Sequence, residues 1–83
     1  MKTIDSLKRD NEVTVAIYGP DDTCLYSSTA KGYHSIEEAL SEAIDNAKLE
    51  INPEDCVFEV TNKTTEVSHK YRINAHGNLK LIV

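Results

Sequence analysis

Residues 35–51 read S-I-E-E-A-L-S-E-A-I-D-N-A-K-L-E-I and carry the strongest periodicity in the chain. Ile36, Ala39, Leu40, Ala43, Ile44, Ala47 and Ile51 recur at the spacing that puts them on one stripe of an α-helix. Ser35 is a good N-cap, and Glu38 follows three residues later, the spacing of a capping box in which each side chain reaches the other's backbone N–H. Pro53 marks the far end, because the residue before a proline avoids the α region. One amphipathic helix cannot bury its stripe alone, so the remaining chain must supply a second layer.

Upstream, residues 12–18 (E-V-T-V-A-I-Y) alternate Val13, Val15 and Ile17 with Thr14, Ala16 and Tyr18, the period of a half-buried strand. Gly19-Pro20-Asp21-Asp22 is a turn, with proline presetting the first central position. Residues 23–28 (T-C-L-Y-S-S) return as a second strand whose facing depends on that turn. A four-residue loop puts Cys24 and Tyr26 on the side of Val15 and Ile17, whereas a bulge turns Leu25 inward. Residues 29–34 connect to the helix, with Gly32 as the flexible point.

Downstream, residues 55–61 (D-C-V-F-E-V-T) set Cys56, Phe58 and Val60 on one face and Val57, Glu59 and Thr61 on the other. Asn62-Lys63-Thr64-Thr65 is a polar turn. Residues 66–74 alternate most cleanly, Val67, His69, Tyr71 and Ile73 against Ser68, Lys70, Arg72 and Asn74. Ala75-His76-Gly77-Asn78 is a tight hairpin turn with Gly77 supplying positive φ, and residues 79–83 form the last strand with Leu79, Leu81 and Val83 on one face. Residues 1–10 read as a short helix capped by Thr3 or as a loose tail. The expected fold is α+β: a two-layer sandwich with a mostly antiparallel sheet of about five strands and one main helix on one face, in the order β-β-α-β-β-β. It forms a single domain over residues 1–83, because no linker, repeat or low-complexity tract divides the chain.

The 83 residues are 40% hydrophobic and 28% charged, which suits one modest core and is too apolar for disorder. The start M-K-T-I-D-S-L-K-R-D has no apolar h-region, and no run approaches the roughly 18 apolar residues of a membrane span. The expected location is cytoplasmic. A net charge of −5 argues against duplex DNA or an anionic membrane as partner, since such binders show a basic footprint. Cys24 and Cys56 fit small buried thiols of a reducing compartment better than a disulfide or zinc, with neither C-x-x-C nor H-x-x-x-H spacing present. No cofactor or metal is expected.

The recurring phosphate-loop, dinucleotide, zincin and nucleophile-elbow patterns are missing from the sequence. His34 precedes the helix cap, His69 lies on the apolar-pattern face of its strand, and His76 sits in a turn, so each has an ordinary structural explanation. A Cys/His nucleophile pair would need an accessible, activated thiol, which an inward cysteine on a packed face does not provide. Glu37, Glu38, Glu42, Asp45 and Glu50 make an acidic outer helix surface that complements the helix dipole and favours solubility.

One helix leaves one face of the sheet open. By strand parity that face carries Lys70, Arg72 and Lys80 as a basic cluster, with Tyr18, Val57 and Ile82 available for contact. The expected function is therefore a non-enzymatic protein-interaction module that docks another protein, or a second copy of itself, through the open sheet face or an edge strand. The binding residues are expected to be Tyr18, Lys70, Arg72, Lys80 and Ile82. The alternative is single-stranded nucleic acid on the same face, with cations on phosphates and aromatics on bases, against which stand the acidic excess and an aromatic content of 6%.

Overall fold

The computed structural model describes residues 10–82. The expected N-terminal helix or tail falls almost wholly outside them, as does Val83. The elements are β1 (Val13–Tyr18), β2 (Cys24–Ala30), α1 (Ile36–Ala47), a 3-10 turn (Pro53–Asp55), β3 (Val57–Asn62), β4 (Val67–Ile73) and β5 (Leu79–Leu81). The strands form one sheet in the order β2-β1-β3-β4-β5, every neighbouring pair antiparallel. This is the α+β arrangement expected from the alternation and the single helical stripe.

Antiparallel registry carries side-chain facing across the whole sheet. The row Tyr26–Ile17–Phe58–Tyr71–Leu81 crosses all five strands on the helix side. Beside it run Ser28–Val15–Val60–His69 and Ala30–Val13–Asn62–Val67. The centres of these rows meet Ile36, Ala39, Leu40 and Ala43 of α1, and Phe58, Ile17, Ile36, Leu40, Val13, Val60 and Cys56 are almost fully enclosed. Asn62 and Asn11 are the buried polar residues among those described, and Asn62 is the one within the sheet. Its Nδ2 donates to Asn11 Oδ1 at 3.0 Å, and its Oδ1 accepts from the N–H groups of Thr64 and Thr65, so it anchors the β3–β4 turn from inside.

Three local expectations are corrected. First, α1 ends at Ala47, not just before Pro53, because Lys48 takes the left-handed conformation at φ 50°. A continuing helix would carry Leu49 toward solvent, off the stripe. The turn at Lys48 instead packs Leu49 against the core, the usual apolar contact that follows a left-handed cap, and leaves Ile51 exposed. Second, the capping box is half shifted. Glu38 N–H donates to Ser35 Oγ at 3.1 Å as expected, but Glu38 Oε1 accepts from the His34 N–H at 2.7 Å, one residue before the cap. Third, the first hairpin contains the bulge of one reading and keeps the inward Tyr26 of the other, while Leu25, expected inward with a bulge, stays 43% exposed. A bulge at Leu25 shifts the register, so Tyr26 pairs with Ile17 on the helix side while Cys24 pairs with Tyr18 on the open side. Cys24 is consequently exposed rather than buried; Cys56 is buried, and both are free thiols.

The helix does not cover its whole side of the sheet. An α-helix is about 10 Å across, whereas five strands at about 4.8 Å spacing span roughly twice that. Helix α1 lies nearest β2 and β1. The inner faces of β4 and β5 stay partly uncovered, and of the inward series Val67, His69, Tyr71 and Ile73 only Tyr71 is buried.

Candidate functional site

On the face away from α1 the registers build three rows. Thr29, Thr14, Thr61 and Ser68 form the first, a line of hydroxyls in which Thr14 and Thr29 meet at 2.7 Å and Thr61 and Ser68 at 3.0 Å. The second holds Ser27, Ala16, Glu59 and Lys70, continued at the edge by Ile82, whose N–H donates to the Lys70 carbonyl at 2.9 Å. The third runs Cys24, Tyr18 and Val57, then Arg72 and Lys80. Lys70, Arg72, Lys80 and Ile82 thus share the β4–β5 corner. Tyr18 lies on the same face but on β1, two strands away from β4, so about 10 Å separates it from that corner.

The basic corner is bounded by an acid. Glu59 stands directly opposite Lys70 and accepts a 3.4 Å hydrogen bond from the Tyr18 hydroxyl. The Glu59 charge, aided by partial desolvation, raises the Tyr18 pKa above the ordinary phenol value. Tyr18, Asp22, Val57, Glu59 and Lys70 line a shallow depression of about 310 Å³ here. Farther out, Arg72 and Lys80 face each other as direct cross-strand partners. Like charges opposite each other destabilise a strand pair, so this pairing does nothing for the fold and concentrates positive charge at the corner.

Sequence parity missed the other side of the same corner. Leu81 and Val67 point to the helix side, where burial was expected, yet Leu81 is 54% exposed and Val67 40%. Between α1 and the β4–β5 hairpin runs a groove of about 480 Å³, lined on apolar positions by Leu40, Ile44, Ile73 and Leu79. Ile82, on the open face, is 40% exposed. The signal for this lay in L-K-L-I itself: a strand apolar on both faces has one face too many for a single helix to cover.

The edge is open as well. Since Ile82 bonds back to Lys70, antiparallel alternation turns the backbone groups of Lys80 and Ile82 toward β4 and those of Leu79 and Leu81 outward. No described strand pairs with that outer side.

Among the described residues the remaining titratable groups do not converge. Cys24 and Cys56 lie on opposite faces, and burial, then the nearby Asp55 charge, pushes the Cys56 thiol above its ordinary pKa, away from a nucleophilic thiolate. Cys56 Sγ makes a 3.7 Å contact with the Asn52 carbonyl. Among the described residues no cluster of three or more His, Cys, Asp or Glu could hold a metal ion, and no helix is long and apolar enough to cross a membrane. The acidic surface of α1 carries Glu37, Glu38, Glu42 and Asp45, all exposed; Glu50 lies beyond the helix. Compared with known protein families, with curated proteins and with solved structures, the chain matches none.

Proposed function

We propose that this protein is a cytoplasmic, non-enzymatic interaction module that takes an extended segment of another protein along the outer edge of β5. The observation that carries the reading is the state of β5: an unshared edge whose Leu81 side chain, the end of the apolar row Tyr26–Ile17–Phe58–Tyr71–Leu81, is the most exposed large hydrophobic in the described chain. An added strand would continue that row and satisfy the outward N–H and C=O groups of Leu79 and Leu81. Its inward side chains would meet Leu81 and the mouth of the groove beside Ile44 and Leu79, so they should be apolar. Its outward side chains would lie beside Lys80 and near Arg72 and Lys70, so they should be acidic. The ligand class is thus an extended peptide alternating apolar and acidic residues, with Lys70, Arg72, Lys80 and Ile82 as the reading face. Tyr18 would be reached by a longer or broader partner.

An amide-resolved NMR titration tests this with two synthetic peptides, one alternating Val and Glu, the other Val and Lys. The acidic peptide should shift the amides of Leu79 and Leu81 first, and replacing Arg72 and Lys80 together by Glu should reverse the preference. Leu81→Pro removes an outward donor without touching the β4 ladder and should abolish the shifts. Equal response to both peptides, or none at β5, rejects the proposal. Single-stranded nucleic acid is the second reading, favoured by the three clustered cations. Glu59 beside Lys70 and the distance to Tyr18 oppose it, because stacking and phosphate contacts would not fall on adjacent nucleotide units. An oligothymidylate that fails to bind at low salt removes it.

A further inference from the structure

We infer that the opposite edge, β2, pairs with β2 of a second copy of this chain, joining two sheets into one of ten strands. Sheet edges in monomers are guarded by lysine, proline, bulges or brevity. β5 is short and carries Lys80, which disfavours a second copy there and leaves that edge to a segment with acidic side chains, whereas β2 is a seven-residue strand, C-L-Y-S-S-T-A, without a charge or a proline. Its one guard, the bulge at Leu25, sits at one end and leaves Tyr26–Ala30 regular.

The direction of its free groups follows from the ladder. Lys63 donates to the Glu12 carbonyl at 2.8 Å, so the even-numbered residues of β1 bond to β3 and Val13, Val15 and Ile17 bond to β2. Their partners Ala30, Ser28 and Tyr26 turn inward, which leaves the N–H and C=O groups of Ser27 and Thr29 pointing outward. A second β2 run antiparallel about Ser28, the midpoint of the regular segment, places Ser27 against Thr29 of the other copy twice over. That satisfies all four of these residues' outward groups across the pair. On the helix side the same register sets each half-buried Tyr26 beside an Ala30, large against small, with the two Ser28 residues at the axis. On the open side only small hydroxyl residues meet. No charge opposes a like charge, since Lys31 falls opposite Leu25. The edge is therefore self-complementary in length, shape and charge, and a second copy is the occupant it fits.

The test is mass against concentration by sedimentation or light scattering, together with a cysteine at the axis. The mass should rise from 9.3 kDa toward twice that value as concentration increases. Ser27→Pro, which deletes an outward donor, and Ser27→Lys, which charges the edge, should each keep the chain monomeric with an unchanged circular dichroism spectrum; if the proline variant unfolds, the lysine variant decides. Ser28 partners would stand at a non-hydrogen-bonded pair with Cα atoms about 4.5 Å apart, within disulfide reach. In a Cys24→Ser background, Ser28→Cys should oxidise to a covalent dimer, and Ser27→Cys, off the axis, should do so at least tenfold more slowly. A mass of 9.3 kDa at every concentration overturns the inference. So does equal cross-linking of both cysteines, or a dimer indifferent to both Ser27 substitutions, which would place the contact elsewhere.

Discussion

Tyr33 shows how one side chain couples the loop before α1 to the helix. It is buried, with its hydroxyl donating to Glu42 Oε1 at 2.7 Å, two turns into α1. Burial first, then the hydrogen bond and charge of Glu42, push its pKa from 10.0 up to about 12. The neutral phenol is the form that the fold favours. Its stabilising contribution is therefore fully present below pH 10 and is lost as pH rises toward 12. Solvent reaches the Glu42 end of the pair and screens it, so the loss should be about 1 kcal/mol. Urea denaturation of the wild type and of Tyr33→Phe at pH 9 and pH 12 checks it: the wild type should lose more stability between the two than the variant, and parallel losses would refute the coupling. The same residue-level view explains the split fate of the cysteines. One extra residue, Leu25, puts Cys24 opposite Tyr18 while Tyr26 stays against Ile17, so a two-residue spacing that implies one face yields two.

Among the elements, the end of α1 differs most from what the sequence implies. Apolar periodicity ran on to Ile51, and the nearest breaker was Pro53. The chain leaves the helix earlier because Leu49 gains burial by turning at Lys48, a preference that no residue near Lys48 announces in sequence. A non-glycine residue at positive φ costs about 1 kcal/mol or more. Lys48→Gly should therefore stabilise the protein by about 0.5–1 kcal/mol, offset in part by the larger unfolded-state entropy of glycine, and a thermal melt should show the midpoint rising. If the midpoint falls, Lys48 has a favourable side-chain role at the helix end. The strands are plainer in the sequence, since alternation needs only a period of two and a consistent core side. The starts and ends moved by one or two residues, as in β5, which stops at Leu81.

At the scale of the whole molecule, the two proposed contacts respond oppositely to salt. Binding of an acidic segment at Lys70, Arg72 and Lys80 depends on charge attraction and should weaken as ionic strength rises from 50 to 500 mM (about 14 to 4 Å in screening length). Pairing of two chains of net charge −5 through an uncharged edge should tighten over the same range. Measuring both in one salt series separates them, and a common direction would refute at least one. The alternating runs, the helical stripe and the turn residues were legible from the sequence, because each is a local pattern that the backbone geometry reads directly. So was the company of Lys70 and Arg72 on one strand face, two residues apart. The strand order was not legible: β3 pairs with β1 across an intervening helix, and that choice rests on contacts between residues such as Val15 and Val60, far apart in the chain. Order decides which strands become edges, and the seat of α1 over β2 and β1 decides which inward side chains stay uncovered. Leu81 and Ser27 owe their exposure to those two facts, because burial of a side chain depends on what lies across from it, and local sequence does not specify its neighbours in space.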